Sequence, residues 1–112
     1  MKEPAEFRQT LLEAVDHGLM VLGERVRQAI YDRIEKTHGL KREEIHEKLD
    51  IFHDALASAL GVGAKPVERL IAKGLYQRLG LNFTPRDNWT IVDYVEHAKG
   101  QLELGETCRN SL

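Results

Sequence analysis

The chain has 112 residues, the size of one domain, with 42% hydrophobic residues, 30% charged residues and a formal net charge of −2. This balance is ordinary for a globular protein and gives no general attraction to nucleic acid or to an anionic membrane. No apolar run approaches the roughly 20 residues that span a bilayer, and the N-terminus lacks a signal-peptide core. Cys108 is the only cysteine, which excludes an internal disulfide. We therefore expect a cytoplasmic monomer or small oligomer.

Apolar residues spaced three and four apart predict the first two helices. The first helix covers residues 5–22, and six of its side chains share one face: Phe7, Leu11, Leu12, Val15, Leu19 and Leu22. Gly18 lies on the same face, where glycine costs a helix roughly 1 kcal/mol, so we expect another helix to pack closely there. Gly23 is expected at the C′ position that ends this helix. The second helix is predicted over residues 24–37, with an apolar stripe of Val26, Ile30 and Ile34.

The middle of the chain predicts an exposed turn and two further helices. Residues 41–48 are too charged for the core and predict one or two exposed helical turns. Asp50 is placed to cap a helix over residues 51–60, which carries Phe52, Ala55, Leu56 and Ala59 inward. Pro66 suits the first turn of the following helix, whose apolar side is Val67, Leu70, Ile71, Leu75 and Leu79. A glycine followed by an apolar residue is predicted to end three helices: Gly39-Leu40, Gly61-Val62 and Gly80-Leu81.

The last helix has the clearest start in the chain. Thr90 and Asp93 have the spacing of a capping box, and Trp89 and Tyr94 stand at the positions of a hydrophobic staple. Just before it, the stretch from Thr84 to Asp87 has the form of a cap followed by a first-turn proline, which predicts a single helical turn. The helix itself is expected to bury Ile91, Val95, Ala98 and Leu102.

No segment shows the alternating pattern of a strand. We predict an all-α fold, a compact orthogonal array of about five helices with short glycine-capped connections. The helical domain is expected to cover residues 1–104. Residues 105–112 are polar and small, and we expect a disordered C-terminal tail there.

Seven stretches carry a resemblance to a known family: Ala29-Ile30-Tyr31, Ile34-Glu35-Lys36, Gly39-Leu40-Lys41-Arg42-Glu43-Glu44-Ile45, Gly61-Val62-Gly63-Ala64, Leu75-Tyr76, Leu79-Gly80-Leu81 and Val92-Asp93-Tyr94-Val95. They are similar to the Nitrosopumilus output domain, a small archaeal family found as short stand-alone proteins or as a module of longer ones. The resemblance covers roughly residues 5–98. It implies an all-helical fold and a non-catalytic role in signalling output, and it brings no catalytic or binding residues.

The turn around Gly61 and Gly63, with the helix that follows it, is the leading candidate for a contact site. A hydrophobic-Gly-hydrophobic-Gly turn that opens a helix resembles one hairpin of the helix-hairpin-helix motif, whose N–H groups can hold a phosphate. Residues 61–86 carry five cations against one acid. The candidate contact residues are Gly61, Gly63, Lys65, Arg69, Lys73 and Tyr76, the last four predicted to lie opposite the apolar stripe. A plain helix joint beside a solvated basic face fits the same pattern.

Charge patterns suggest two further contacts. Arg78 falls within the apolar stripe near a helix end, so we expect it to pair with an acid or to reach water along the core surface. Residues 87–106 hold five acids against Lys99 alone. The last helix can therefore pack beside the basic helix of its own chain or dock on that of a second copy.

The sequence predicts no catalytic residues, no metal and no cofactor. His46, Asp50 and His53 have metal-ligand spacing only on an unbroken helix, and a cap at Asp50 would break it. Glu13 and His17 are explained as a helical surface pair. No nucleophile stands at a meaningful spacing from a histidine.

We therefore expect a non-catalytic protein-interaction or signalling-output module that acts on a protein partner or on a second copy, without membrane contact. The alternative is sequence-nonspecific nucleic-acid binding through the turn at Gly61 and the basic helix as far as Tyr76.

Overall fold

The structure, a computed structural model, describes the backbone of residues 5–111 and the side chains of residues 6–102. Its five α-helices follow one another: α1 (Ala5–Met20), α2 (Glu24–His38), α3 (Leu49–Leu60), α4 (Ala64–Leu79) and α5 (Ile91–Ser111). Short 3₁₀ helices at Arg42–Glu47 and Gly61–Gly63 precede α3 and α4. No strand occurs within residues 5–111, and the predicted all-α fold is confirmed.

The structure does not test the predicted boundary between the helical domain and the C-terminal tail. The backbone of helix α5 runs through residue 104 and remains helical to Ser111. The side chains of residues 103–112 lie outside the described part of the chain. The division into a domain of residues 1–104 and a tail of residues 105–112 therefore stays a prediction.

Helices α1 and α4 form the central pair of the core and run in opposite directions. Gly18, near the end of α1, lies against Ile71 in the first half of α4. Glu13, earlier in α1, lies 4.0 Å from Arg78 near the end of α4. Helices α2 and α3 pack against each other beside this pair, and α5 closes the core against α3 and α4.

The close approach predicted at Gly18 is confirmed. A methyl group on Gly18 would overlap the side chain of Ile71 and lie 3.2 Å from Ile71 Cα. That distance is shorter than van der Waals contact, so a side chain at position 18 would push the two helices apart. Because both residues are fully inside the core, the missing side chain sets how closely α1 and α4 pack.

Two of the three predicted glycine endings have left-handed geometry. Gly39 (φ 64°, ψ 24°) ends α2 and Gly80 (φ 72°, ψ 25°) ends α4. After Gly80, the N–H of Leu81 returns to the carbonyl of Tyr76 at 2.9 Å, as in a Schellman ending. Gly61 differs, because its φ of 58° is combined with a ψ of −128°, and the chain continues into a 3₁₀ turn instead.

Two predicted helix boundaries are wrong. Gly23 does not end α1, because the helix ends at Met20 and Gly23, with a positive φ of 101°, is the N-cap residue of α2. Asp50 does not cap α3, because the helix starts at Leu49 and leaves Asp50 within its first turn. A carboxylate in a first turn still interacts favourably with the helix dipole.

The predicted start of α5 is confirmed. Thr90 N–H donates to Asp93 Oδ2 at 2.9 Å, and Val92 N–H donates to Thr90 Oγ1 at 3.2 Å. The rings of Trp89 and Tyr94 meet edge to face, with centroids 5.2 Å apart. Both the cap and the hydrophobic staple are therefore present.

The helical turn predicted from Thr84 to Asp87 is absent, since no helix occurs between α4 and α5. The Tyr94 hydroxyl accepts the N–H of Arg86 at 2.8 Å and donates to the carbonyl of Arg86 at 3.2 Å. The carbonyl of Arg86 also accepts the N–H of Trp89 at 3.2 Å, so the chain turns between Arg86 and Trp89 rather than between Thr84 and Asp87.

Three side chains predicted to face the core are exposed: Leu22 at 36%, Val26 at 42% and Leu70 at 41%. Leu22 leaves the apolar face because α1 ends two residues before it. Val26 lies in the first turn of α2, at the margin of the packed region. Leu70 is exposed because α4 is rotated, as described below.

We expect Gly18→Ala to destabilise the fold by about 1–3 kcal/mol, because the added methyl group overpacks the α1–α4 contact. Gly100→Ala is the matched control, since nothing lies within 4 Å of a Cβ at this helical position. It should be neutral or stabilise by up to about 1 kcal/mol. Urea unfolding followed by circular dichroism measures both, and equal stability of the two variants would contradict the close-approach account.

Candidate functional site

Helix α4 carries the predicted cations on its outer side. Lys65 and Lys73 are exposed, and Arg69 is half-buried. The guanidinium of Arg69 lies 3.5 Å from the carboxylate of Asp87, which is almost fully exposed. Because a pair this open to water contributes little binding energy, Arg69 remains available to another acid. The structure thus places these three predicted contact residues on the surface.

The glycine turn before α4 has few free amides. The N–H of Ala64 donates to the carbonyl of Gly61, and Pro66 has no N–H. Gly61 is exposed and Gly63 is half-buried. A phosphate cradle needs several adjacent amides pointing at one anion. This hydrogen bonding favours the helix-joint interpretation of the turn.

Tyr76 does not lie on the basic face, and its predicted exposure is wrong. Only 2% of the residue is accessible. Its hydroxyl donates to the carbonyl of Tyr94 at 2.8 Å and lies 2.9 Å from His97 Nδ1. Burial raises the pKa of Tyr76 to about 12. The tyrosine joins α4 to α5 and is unavailable to a partner.

A groove with an apolar floor takes the place of that tyrosine. Leu70 is exposed on the outer side of α4, and the loop after the helix brings Phe83 and Pro85 beside it. We call the resulting cavity of about 540 Å³ the α4 groove; its lining is Pro66, Arg69, Leu70, Lys73, Phe83 and Pro85. Cations stand on its rim, and no acid lines it. The sequence missed this groove, because its floor combines a residue assigned to the core with loop residues far along the chain.

A buried carboxylate lies on the inner side of the same helix. Glu68 is 4% exposed; its carboxylate lies 2.5 Å from His53 Nδ1 and accepts the N–H of Ile91 at 3.2 Å. Burial raises the pKa of Glu68, and the contacts with His53 and Ile91 oppose that rise. The carboxylate therefore joins α3, α4 and the start of α5, where a negative charge also suits the helix dipole.

Sequence reasoning missed the link at Glu68. The sequence contains one indication of it, the helical position of Glu68, which falls on the same face as Ile71 and Leu75. The partners His53 and Ile91 lie on other helices, and no spacing rule joins residues across helices. The same link takes His53 out of the metal pattern that the sequence considered.

A second polar cluster joins the first half of the chain. The Asp16 carboxylate accepts bonds from Arg42, at 3.0 Å and 2.5 Å, and from the Tyr31 hydroxyl. Burial alone would raise the pKa of Asp16, but the hydrogen bonds from Arg42 and Tyr31 hold it below its usual range. Ile45, 1% exposed, anchors the 3₁₀ helix that carries Arg42. These contacts are structural, because they join α1 to α2 and to the 3₁₀ helix.

Arg78 pairs with an acid, one of the two predicted outcomes. Its guanidinium lies 4.0 Å from Glu13, contacts the His17 ring and donates to the carbonyl of Gly74 at 3.3 Å. Glu13 and His17 therefore contact α4 rather than forming only a pair on α1. This contact orients α1 against the end of α4.

Among the residues that the structure describes, no group of three His, Cys, Asp or Glu side chains could hold a metal ion. No helix in the described part of the chain is long and apolar enough to cross a bilayer.

Comparison of the chain with protein-family models, with curated protein sequences and with solved structures finds no match in any of the three. The resemblance to the Nitrosopumilus output domain therefore stays a prediction.

We expect Glu68→Gln to change how stability depends on pH. Because burial raises the pKa of Glu68 above its ordinary 4.5, the folded chain holds this proton to a higher pH than the unfolded chain. The stability that the carboxyl contributes is fully present below pH 4.5 and is lost as the pH rises through the raised value. The glutamine amide does not titrate in this range.

The stability of the wild type relative to Glu68→Gln should therefore fall as the pH rises above 4.5. Urea unfolding of both proteins at several pH values measures this difference. Glu68→Ala leaves the Ile91 N–H without its acceptor and should cost about 1–3 kcal/mol. A relative stability that rises over the same pH range would contradict the assignment.

Proposed function

We propose that this chain is a non-catalytic protein-interaction module whose contact surface is the α4 groove. Its partner is a protein segment that carries apolar side chains flanked by acidic ones. The observation that carries the proposal is Leu70, which is 41% exposed and lines the α4 groove together with Arg69, Lys73 and Phe83.

An apolar floor with a cationic rim favours a protein partner. Burial of an exposed leucine gains roughly 25 cal/mol per Å² of apolar surface, which phosphates and sugars cannot supply. Arg69 and Lys73 on the rim set the orientation and the rate of encounter with an acidic segment more than its final affinity. A segment with leucine or phenylalanine at helical spacing and glutamate or aspartate beside it meets both requirements.

The resemblance to the Nitrosopumilus output domain supports a regulatory or signalling-output role for such a module. It contributes nothing about which residues bind. The α4 groove and its charge therefore carry the choice of surface.

Nucleic-acid binding through the same helix is the second candidate. It is favoured by Lys65, Arg69 and Lys73, which all lie on the outer side of α4. Three features of the structure weigh against it: Tyr76 cannot stack on a base, the Ala64 amide is engaged, and the exposed, apolar Leu70 lies beside these cations.

Photo-crosslinking from within the groove tests the proposal. A benzophenone amino acid replaces Leu70, and the same group at Gln77, an exposed position of α4 outside the groove, is the matched control. Both proteins are irradiated in nuclease-treated lysate of the native host. We expect a discrete protein adduct from position 70 alone, with acidic residues at the crosslinked peptide. Adding Lys73→Glu should reduce it by about fivefold, the effect of roughly 1 kcal/mol at an exposed charge.

The competing outcome is measured with a fluorescently labelled oligonucleotide at low salt. Binding that weakens with salt and with neutralisation of Lys65, Arg69 and Lys73 would support the nucleic-acid candidate. Equal adducts from both crosslinker positions, together with no oligonucleotide binding, would remove both candidates for this surface.

A further inference from the structure

Most of the large hydrophobic side chains exposed in the described part of the chain belong to one surface outside the α4 groove. We call it the apolar end, and it consists of Met20, Val21, Leu22, Val26 and Val62. Val62 is 97% exposed and Val21 is 67% exposed. Valine is unusual at such positions, because turn tips normally carry Gly, Asn, Asp or Ser. Most of the surface of Val21 and Val62 therefore packs against nothing in the described part of the chain.

The chain trace brings the first four of these side chains together. After α1, the N–H of Leu22 donates to the carbonyl of Leu19 at 3.0 Å, and the N–H of Gly23 donates to the carbonyl of Met20 at 2.9 Å. This tight turn leads directly into α2, where Val26 follows within one helical turn.

Val62 reaches the same end from the other half of the fold. Val26 lines a groove together with Leu60, the last residue of α3, and Val62 follows Leu60 by two residues. Because α1 and α4 run in opposite directions and Gly18 meets Ile71, the end of α1 points toward the start of α4, which Val62 precedes.

The groove beside Val62 has room for an apolar side chain. Its volume is about 290 Å³, and we call it the α2–α3 groove, lined by Arg25, Val26, Ala29, Ile30, Arg33, Ala59 and Leu60. An exposed valine and an apolar recess thus stand next to each other on one surface. A two-fold rotation places the valine of each copy at the recess of the other. The surface is then self-complementary, and the assembly closes at two copies.

We infer that a second copy of this chain covers the apolar end. The two copies are related by a two-fold axis, with Val62 of each seated in the α2–α3 groove of the other. The residues from Met20 to Leu22 close around this contact. The inference is independent of the proposed function, because it uses a different surface.

The area agrees with a concentration-dependent dimer. At their exposed fractions, the five side chains leave on the order of 400 Å² of apolar surface in water, a size at which patches on monomers are often functional. Homodimer interfaces are about 65% apolar, so this patch corresponds to about 600 Å² per copy and about 1,200 Å² in total. That total lies at the lower limit of specific interfaces.

The charges beside the patch also permit a second copy. Glu24 and Arg25 are adjacent and exposed at the start of α2. A two-fold contact can therefore place Glu24 of each copy against Arg25 of the other. The α2–α3 groove itself is lined by two cations, Arg25 and Arg33, and by no acid, so Glu24 supplies the negative charge in this contact. The net charge of −2 adds little repulsion between copies.

Sedimentation velocity of the full chain over a wide concentration range tests the inference. We expect the mass to rise from that of one chain to that of two at high concentration. Val62→Glu and Val21→Glu should each weaken the dimer at least about tenfold, because each places a charge in the apolar contact. Both positions are exposed, so circular dichroism should show an unchanged fold. Leu70→Ser, in the α4 groove, is the matched control and should leave dimerisation unchanged.

Three results would overturn the inference. One is a wild-type chain that remains monomeric at every concentration, which would assign the apolar end to a different protein. Another is a dimer that neither glutamate substitution weakens, which would place the contact elsewhere. The third is growth beyond two copies, which would exclude the closed two-fold arrangement.

Discussion

The contact between Gly18 and Ile71 determines how helix α4 is rotated, and the surfaces of the protein depend on that rotation. Because α1 packs directly on Ile71, the neighbouring position at Leu70, about 100° around the helix, is turned outward. The buried arc extends the other way, where α5 covers Tyr76 and the start of α5 meets Glu68. The close contact between α1 and α4 therefore leaves Leu70 exposed beside the cations of α4 and turns Tyr76 into the core.

Two carboxylates hold elements that apolar packing alone would leave adjustable. Asp16 joins α1 to α2 and to the 3₁₀ helix through Tyr31 and Arg42, and Glu68 joins α3 to α4 and α5. Hydrogen bonds are directional whereas apolar contacts are not, so these links fix the relative orientation of the helices. The pKa shifts of the two carboxyl groups have opposite directions. Burial raises the pKa of Glu68, whereas the hydrogen bonds from Arg42 and Tyr31 lower the pKa of Asp16 despite its burial.

The linings of both grooves contain two cations and no acid, so shape rather than charge separates the two proposed occupants. The α4 groove is rimmed by Arg69 and Lys73 without a lining acid, which calls for an acidic partner segment. The apolar end combines the exposed Val62 with an adjacent recess, which another copy of the same surface can complement. A dimer formed through the apolar end would present two α4 grooves to partners, one on each copy.

The sequence by itself determined the helices, the start of α5 at Thr90, the left-handed endings at Gly39 and Gly80, and the close packing at Gly18. These features are local or follow from helical period, so each is encoded within a few residues. Only the tertiary structure decided that Tyr76 is buried, that Leu70 is exposed and that Glu68 meets His53 and Ile91. The physical reason is that helical period defines an apolar face only to within one residue position, and the neighbouring helices decide which edge of that face is covered.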